Sequence, residues 1–309
     1  MRELLLRLSE NKKLAPWIMA NGVSRRVAQR FVAGEKLEDA LAAANVVNRS
    51  LKLASLDLLG ENVSDAAGAR AAAVGYRAIF DRIAAERLDA NVSLKLTQLG
   101  LDLSEDLCQE LLEGIVQHAA ELGNFVRVDM EGSAYTQRTV DLVKRVRTEY
   151  SAVGTVMQAY LYRSEQDVVD LLAAGCRMRL CKGAYKEPSE VAFPQKADVD
   201  ANYVKLMKLL LPSGIYHGIA THDPAMIQAT KDFAREQKIT SDKFEFQMLY
   251  GIRTDLQDAL VREGFRVRVY IPYGTDWFPY FMRRLAERPA NVTFFLRSML
   301  PRSSNGGAK

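Results

Sequence analysis

Apolar and polar positions along the chain fall into two alternating rhythms. Short runs with a period of two are followed by longer stretches in which apolar residues recur every three to four positions, the signatures of strand and helix. An apolar run, Leu51 to Leu58, is closed by Gly60, and Ser64 is placed to cap an Ala-rich helix to about Glu86. Then come a strand at Asn91–Thr97, a helix at Ser104–Leu122, a strand at Phe125–Glu131 and a helix at Thr136–Tyr150. Strands at Thr155–Tyr160, Arg177–Cys181, Tyr216–Thr221, Lys243–Leu249 and Phe265–Ile271 follow, with helices at Ser164–Ala174, Asp198–Leu211, Pro224–Gln237, Asp255–Gly264 and Trp277–Arg288. About eight strands, each with its helix, imply a parallel sheet. In about 250 residues they imply a closed α/β barrel of the distorted (β/α)8, TIM type. An open doubly wound sheet is the alternative, but no Gly-x-Gly-x-x-Gly follows the first strand. No P-loop and no His-Glu-x-x-His occurs either.

Residues 1–50 read as an N-terminal helical arm, with Ser24 capping a helix to Phe31, Gly34 stopping it, and a second helix over Glu35–Val47. The catalytic barrel spans 51–300, and 301–309 form a frayed tail.

The strand faces carry the first hint of chemistry. Side chains alternate across a strand, so Ser93, Lys95 and Thr97 oppose Val92, Leu94 and Leu96, and Arg127, Asp129 and Glu131 oppose Val126, Val128 and Met130. Arg177 and Arg179, Glu245 and Gln247, and Arg266, Arg268 and Tyr270 form similar polar sets. The apolar faces must pack on helices, so the polar sets point into the barrel. A structural barrel fills its interior with branched apolar groups, and buried charge is costly unless paired. Lys95, Asp129 and Arg179 therefore mark either a working site or an ion-pair network. Lys95, Asp129, Gln158, Lys182, Thr221, Gln247 and Tyr270 sit at or just past C-terminal strand ends, where sites lie in this fold.

Composition narrows the partners. The 309 residues carry a formal net charge of +4, with basic and acidic groups interleaved, so no nucleic-acid partner is implied. Cys108, Cys176 and Cys181 fit no disulfide framework or metal motif and read as packing residues of a chain in a reducing compartment. No run approaches the ~20 apolar residues of a membrane helix, and no metal is called for.

The last helix adds adjacent arginines among aromatics. Arg283 and Glu287 share one face and Tyr280 and Arg284 the next. Paired guanidiniums suit a small carboxylate, although a solvated basic helix end would look the same. A lysine nucleophile of an aldolase type (Lys95 or Lys182) and a non-catalytic binding module that keeps Arg283 and Arg284 are the rival readings.

At this point the segments Ser-Leu-Asp-Leu-Leu-Gly-Glu61, Val-Ser-Leu-Lys-Leu96, Val-Arg-Val-Asp-Met-Glu131, Arg-Leu-Cys-Lys-Gly-Ala-Tyr185, Ala-Thr-His-Asp223, Glu-Phe-Gln-Met-Leu-Tyr-Gly251, Tyr-Ile-Pro-Tyr-Gly274 and Tyr-Phe-Met-Arg-Arg-Leu-Ala-Glu287 resemble the single-function bacterial proline dehydrogenases. The resemblance runs from about Leu51 to Ser298. It implies a barrel with the last helix over its mouth, noncovalent FAD, and oxidation of L-proline to 1-pyrroline-5-carboxylate with electrons passed to a quinone, the first step of proline catabolism. Asp129 and Arg179 become the catalytic pair. Lys95, Arg283 and Arg284 would grip the substrate carboxylate, and Tyr270, Tyr280 and Leu249 would close over the ring. Met130, Gln158, Lys182, Gly183, Ala184, Thr221, His222 and Glu287 would contact the cofactor, with Gly183 letting backbone approach it. Without the resemblance, His222 reads as a cap for the helix at Pro224. The resemblance also implies a cytoplasmic chain with at most peripheral contact with the inner membrane, and a pyrroline-5-carboxylate dehydrogenase as partner. The sequence departs from the family pattern at Gly132, where relatives often carry a second acid, and at Cys181, where valine is commoner.

Overall fold

The computed structural model describes residues 28–287. Eight parallel strands close into a barrel in sequence order: β1 Leu53–Leu58, β2 Ala90–Leu94, β3 Val126–Val128, β4 Val153–Gln158, β5 Arg177–Cys181, β6 His217–Ala220, β7 Phe244–Leu249 and β8 Val267–Tyr273. The α-helices among the described residues are α1 Leu37–Arg49, α2 Ala66–Ala85, α3 Glu105–Glu121, α4 Ser133–Glu149, α5 Ser164–Ala173, α6 Lys196–Leu210, α7 Pro224–Glu236, α8 Thr254–Arg262 and α9 Trp277–Glu287. The expected helix from Ser24 to Phe31 and the frayed tail lie largely or wholly outside the described residues.

Local chemistry sets the boundaries. Ser104 caps α3 by accepting the Leu107 N–H at 3.2 Å. Asp65, not Ser64, caps α2, because its carboxylate takes the Gly68 N–H at 2.8 Å. Two strands are shorter than the sequence pattern suggests. Strand β2 stops at Leu94, and Leu96–Leu99 winds into a 3-10 turn with Lys95 before it. Strand β3 ends at Val128, so Asp129, Met130 and Glu131 belong to the loop that follows. Both truncations free polar side chains from the strict in–out alternation just where the barrel opens.

The largest core lies between strands and helices: Leu56, Val92, Leu94, Val126, Leu180, Phe246 and Val267 from the sheet meet Phe80, Ile115, Val143, Leu206 and Leu260, all essentially buried. At about 25 cal/mol per Å2 of apolar surface removed from water, burying each large side chain contributes about 2 kcal/mol. Helix α1 packs on β1 and β8. It fills the place in the outer ring that a helix after β8 would otherwise occupy. Helix α9 is thereby released from the ring. Its Trp277, Phe278, Phe281 and Leu285 instead form a second cluster with Phe31, Val32 and Leu59, and it turns polar residues toward the barrel mouth.

One buried histidine ties the sheet together. His217 on β6 is inaccessible to solvent; its Nδ1 accepts the Met178 N–H of β5 at 3.0 Å, and Nε2 faces Ser213 Oγ at 3.1 Å. Burial, with Arg127 and Arg177 nearby, pushes its pKa down to about 4. A folded-state value below the unfolded one means that its contribution is complete above the unfolded value of about 6.5 and is lost as pH falls through about 4. The gap is worth about 3 kcal/mol. Urea unfolding from pH 7 to pH 4 is expected to show that the stability advantage of the native protein over His217→Gln, whose amide oxygen can still accept from Met178, shrinks by that order. An advantage independent of pH would contradict the assignment.

Candidate active site

The C-terminal strand ends and α9 enclose a cavity of about 400 Å3. Fifteen of the sixteen side chains expected from the sequence line it: Lys95, Asp129, Met130, Gln158, Arg179, Lys182, Gly183, Ala184, Thr221, His222, Leu249, Tyr270, Tyr280, Arg283 and Arg284. The sixteenth, Glu287, has a side chain outside those described.

At the floor, Arg179 is fixed from three sides. Its Nη1 donates to Asp129 Oδ1 at 2.7 Å, Nη2 to Ser93 Oγ at 3.1 Å, and Nε to Gln247 Oε1. Its guanidinium also lies over the Tyr270 ring, 5.1 Å from the centroid. Gln247 passes the constraint to Glu245, which binds Arg268 Nε at 2.7 Å. The Gln247 side chain leans toward Gly218, the β6 partner of Glu245, and has room there because residue 218 is glycine: a Cβ would stand 2.3 Å from Gln247 Nε2. The five N–H groups of a guanidinium leave two still able to meet an acceptor in the cavity.

The second floor group is Lys95, buried beside Asp57 with Nζ 3.6 Å from Asp57 Oδ1. Burial works against its charge, but Asp57, Glu61 and Asp129 outweigh that and hold its pKa above the ordinary lysine value. Lys95 is thus an ammonium throughout the physiological range. This weighs against the aldolase alternative at this residue, which needs a neutral amine. Glu131, behind Lys95, is raised to about 7 by burial, although Thr97 hydrogen bonds favour its charge.

On the roof, Arg284 stacks on Tyr280, 5.1 Å from the ring centroid, as their spacing on one helix face predicts. Arg283 Nη2 binds Glu61 Oε1 at 3.0 Å, joining α9 to the loop after β1. The far wall holds Lys182, bridged to Asp200 at 2.5 Å and Asp223 at 2.7 Å. Asp223, not His222, caps α7 through the Ala225 N–H. His222 Nε2 accepts the Leu249 N–H at 2.9 Å, which requires the proton of a neutral ring on Nδ1.

One expectation needs correcting and another gains a second reason. Glycine at 183 is required by Tyr160 whatever else approaches it: φ is +130°, and a Cβ would lie 2.4 Å from that ring. Cys181 is not a plain packing residue, since it lines the cavity wall, whereas Cys108 and Cys176 are buried. Sequence reasoning also missed Asp57 and Glu61. Asp57 is completely buried and inward-facing with Ser55, within a run that reads as apolar when taken whole. The alternation of Ser55 and Asp57 with Ala54, Leu56 and Leu58 was the available signal.

The family model described as proline dehydrogenase matches residues 40–297. Proline dehydrogenase 1 of Bacillus subtilis (strain 168) is 44% identical over 300 residues, covering 97% of this chain and 99% of that one. The proline dehydrogenase of Deinococcus radiodurans is 42% identical over 279 residues, with 89% and 90% covered. Among solved structures, proline utilization A from Bdellovibrio bacteriovorus, inactivated by N-propargylglycine, superposes with a TM-score of 0.81 at 26% identity, over 89% of this chain and 34% of that one.

The Arg179–Asp129 pair has side chains only 8% and 13% exposed. Removing one partner of a buried pair leaves the other charge uncompensated, at about 3 kcal/mol or more. Arg179→Met is therefore expected to lower the free energy of urea unfolding at pH 7 by that order. An unchanged unfolding free energy would show that the pair does not hold the floor together.

Proposed function

The chain belongs to the proline dehydrogenase family, and from that premise we propose how its cavity divides the work of the reaction. The enzyme oxidises proline to 1-pyrroline-5-carboxylate, and FAD is its cofactor. The residues fit that group. A guanidinium with spare donors, an ammonium on the wall, the backbone of Gly183 and Ala184, and the apolar surfaces of Met130 and Val156 offer donors for heteroatoms and phosphate oxygens and flat contact for a ring. FAD, when bound, supplies the two-electron acceptor that no protein side chain can provide.

The chain's own groups supply position and field. Lys95 from the floor and Arg283 and Arg284 from the roof converge on the cavity with three permanent positive charges. Their number is the observation that carries the assignment: a substrate with one carboxylate beside a reacting carbon meets a fork and a point charge at once. Anchoring the carboxylate fixes the ring, and fixed geometry can supply several kcal/mol of the barrier. Tyr270, Tyr280 and Leu249 then form the apolar and aromatic envelope around the ring. Arg179, already oriented by Asp129, Ser93 and Gln247, presents a positive charge where negative charge grows during oxidation, at no further reorganisation cost. Asp129 positions that guanidinium and offsets its charge. Met130, Gln158, Lys182, Gly183, Ala184, Thr221, His222 and Glu287 are assigned to the cofactor.

We further infer that a quinone takes the electrons onward, with any membrane contact peripheral, since no helix among the described residues is long and apolar enough to span a bilayer. A pyrroline-5-carboxylate dehydrogenase would consume the product.

Two measurements test this reading. Purified protein should be yellow and bleach when proline is added without oxygen; a folded protein that cannot be loaded with FAD would exclude it. Arg284→Ala should lower proline efficiency by roughly 30-fold to several-thousand-fold, the equivalent of ~2–5 kcal/mol for truncating one member of a buried charged pair. It should also erase most of the preference for proline over pyrrolidine, which lacks the carboxylate. Full retention of that preference would remove Arg284 from the carboxylate site.

A further inference from the structure

Beneath the cavity, one hydroxyl is flanked by two carboxylates. Tyr270 Oη lies 2.6 Å from Asp57 Oδ2 and 2.9 Å from Asp129 Oδ2. A phenol carries a single proton and donates a single strong hydrogen bond. It can therefore satisfy only one of these oxygens. If both acids were ionised, the other oxygen would face a hydroxyl lone pair at hydrogen-bond distance, in a buried place where screening is weak.

The two acids are not equally supported. Asp129 has its other oxygen on Arg179 at 2.7 Å. Asp57 is inaccessible to solvent, its Oδ1 makes no hydrogen bond, and Lys95 Nζ stands at 3.6 Å, an ion-pair distance without hydrogen-bond contact. The groups facing Asp57 are Lys95 after β2, Asp129 after β3, Tyr270 and Tyr273 on β8, Tyr76 on α2, and Glu61 in the loop after β1. One cation thus confronts Asp57 together with two further carboxylates, an arrangement in which like charges cannot all ionise freely.

We propose that Asp57 and Asp129 hold one proton between them at neutral pH, seated on Asp57: Asp57 donates to Tyr270 Oη, and Tyr270 donates to the ionised Asp129. The hydroxyl is then satisfied as both acceptor and donor. The proton can also cross. The Asp57 O–H bond breaks as an O–H bond forms at Tyr270, whose own proton passes to Asp129, and the net charge is unchanged. Burial displaces the Asp57 carboxyl upward in pKa, in keeping with the geometry.

The consequence concerns selectivity, and rests on the reading of Lys95 as a substrate-carboxylate ligand. With Asp57 neutral, Glu61 and the ionised Asp129 are the carboxylates that favour the Lys95 ammonium, and Lys95 is left available to the substrate. When pH rises and Asp57 ionises, Lys95 is drawn to its new counter-ion, and carboxylate-bearing substrates lose affinity while those without a carboxylate do not. Asp57 is on this account a positioning residue for Lys95.

The test uses the FAD-loaded enzyme. Infrared spectra at neutral pH should contain the C=O stretch of a protonated carboxylic acid that shifts in D2O. Because Glu131, held near pKa 7, contributes a band of its own, the native-minus-Asp57→Asn difference is the quantity read. In Tyr270→Phe the Asp57 band should persist but move to higher frequency, having lost its acceptor. Kinetically, the ratio of proline KM to pyrrolidine KM should climb with pH, by at most about tenfold per pH unit for one proton. In Asp57→Asn, a permanently neutral isostere, that ratio should stay flat. A native enzyme with no carboxylic acid band beyond that of Asp57→Asn, or a band unmoved in Tyr270→Phe, overturns the shared proton. If Asp57→Asn does not fold, the Tyr270→Phe shift decides the question alone. The infrared result does not depend on where proline binds, so it fails independently of the site assignment.

Discussion

A closed parallel barrel brings inward side chains from every strand to one axis, and what stands on that axis must be either apolar or electrically balanced. In this chain it is balanced. Arg179 lies at the centre of the arrangement, bound to Asp129, Ser93 and Gln247 from three different strands or strand ends. Below it the balance continues through Glu245 to Arg268, and above it through Tyr270 to Asp57 and Lys95. Such a network gives little net stability over an apolar core. Its value lies in orientation, since each charged group is held by a neighbour on a rigid strand before any substrate arrives. Arg127 marks the limit of the balance: it is buried, two of its nitrogens lack hydrogen-bond partners, and burial together with the cations nearby lowers its pKa to about 9.

The roof depends on a second constraint, one of space. The outer ring of a (β/α)8 barrel has one position between β8 and β1, and α1 occupies it. Helix α9 must go elsewhere, and its aromatic face finds Phe31, Val32 and Leu59. This leaves Tyr280, Arg283 and Arg284 above the strand ends. The two arginines to which we assign the substrate carboxylate therefore owe their place to a helix from the other end of the chain.

The barrel itself was legible from periodicity, because each strand and helix carries its own apolar rhythm. Most of the cavity lining was legible too, since strand alternation in β5, β7 and β8 places Arg179, Gln247 and Tyr270 inward without reference to anything distant. Asp57 was overlooked although Ser55 and Asp57 alternate with Ala54, Leu56 and Leu58, because the run from Leu51 to Leu58 reads as apolar when taken as a whole. The role of Glu61 was not legible, since it is defined only by Arg283, far away in sequence. Strand ends at Leu94 and Val128 were misjudged for a related reason: the polar residues beyond them keep the strand pattern while the backbone has already left the sheet. The demand for glycine at 183 likewise comes from Tyr160, a contact between two loops.

The placement of α1 also sets an order of events in the life of the polypeptide. On emerging from the ribosome, this helix has half of its docking surface on β1, made at once, and half on β8, which is made last. Ala33 and Gly34 complete backbone hydrogen bonds only with Pro272 and Gly274. These contacts span roughly two hundred residues or more, a separation that slows folding because loop closure precedes any compensating contact. Until β8 arrives, α1 keeps an uncovered apolar stripe, and the edges of β1 and β7 stay unpaired, surfaces on which chains associate wrongly. The first helix and the last strand are thus a single clasp. Nascent chains shortened before β8 are the forms most in need of a chaperone.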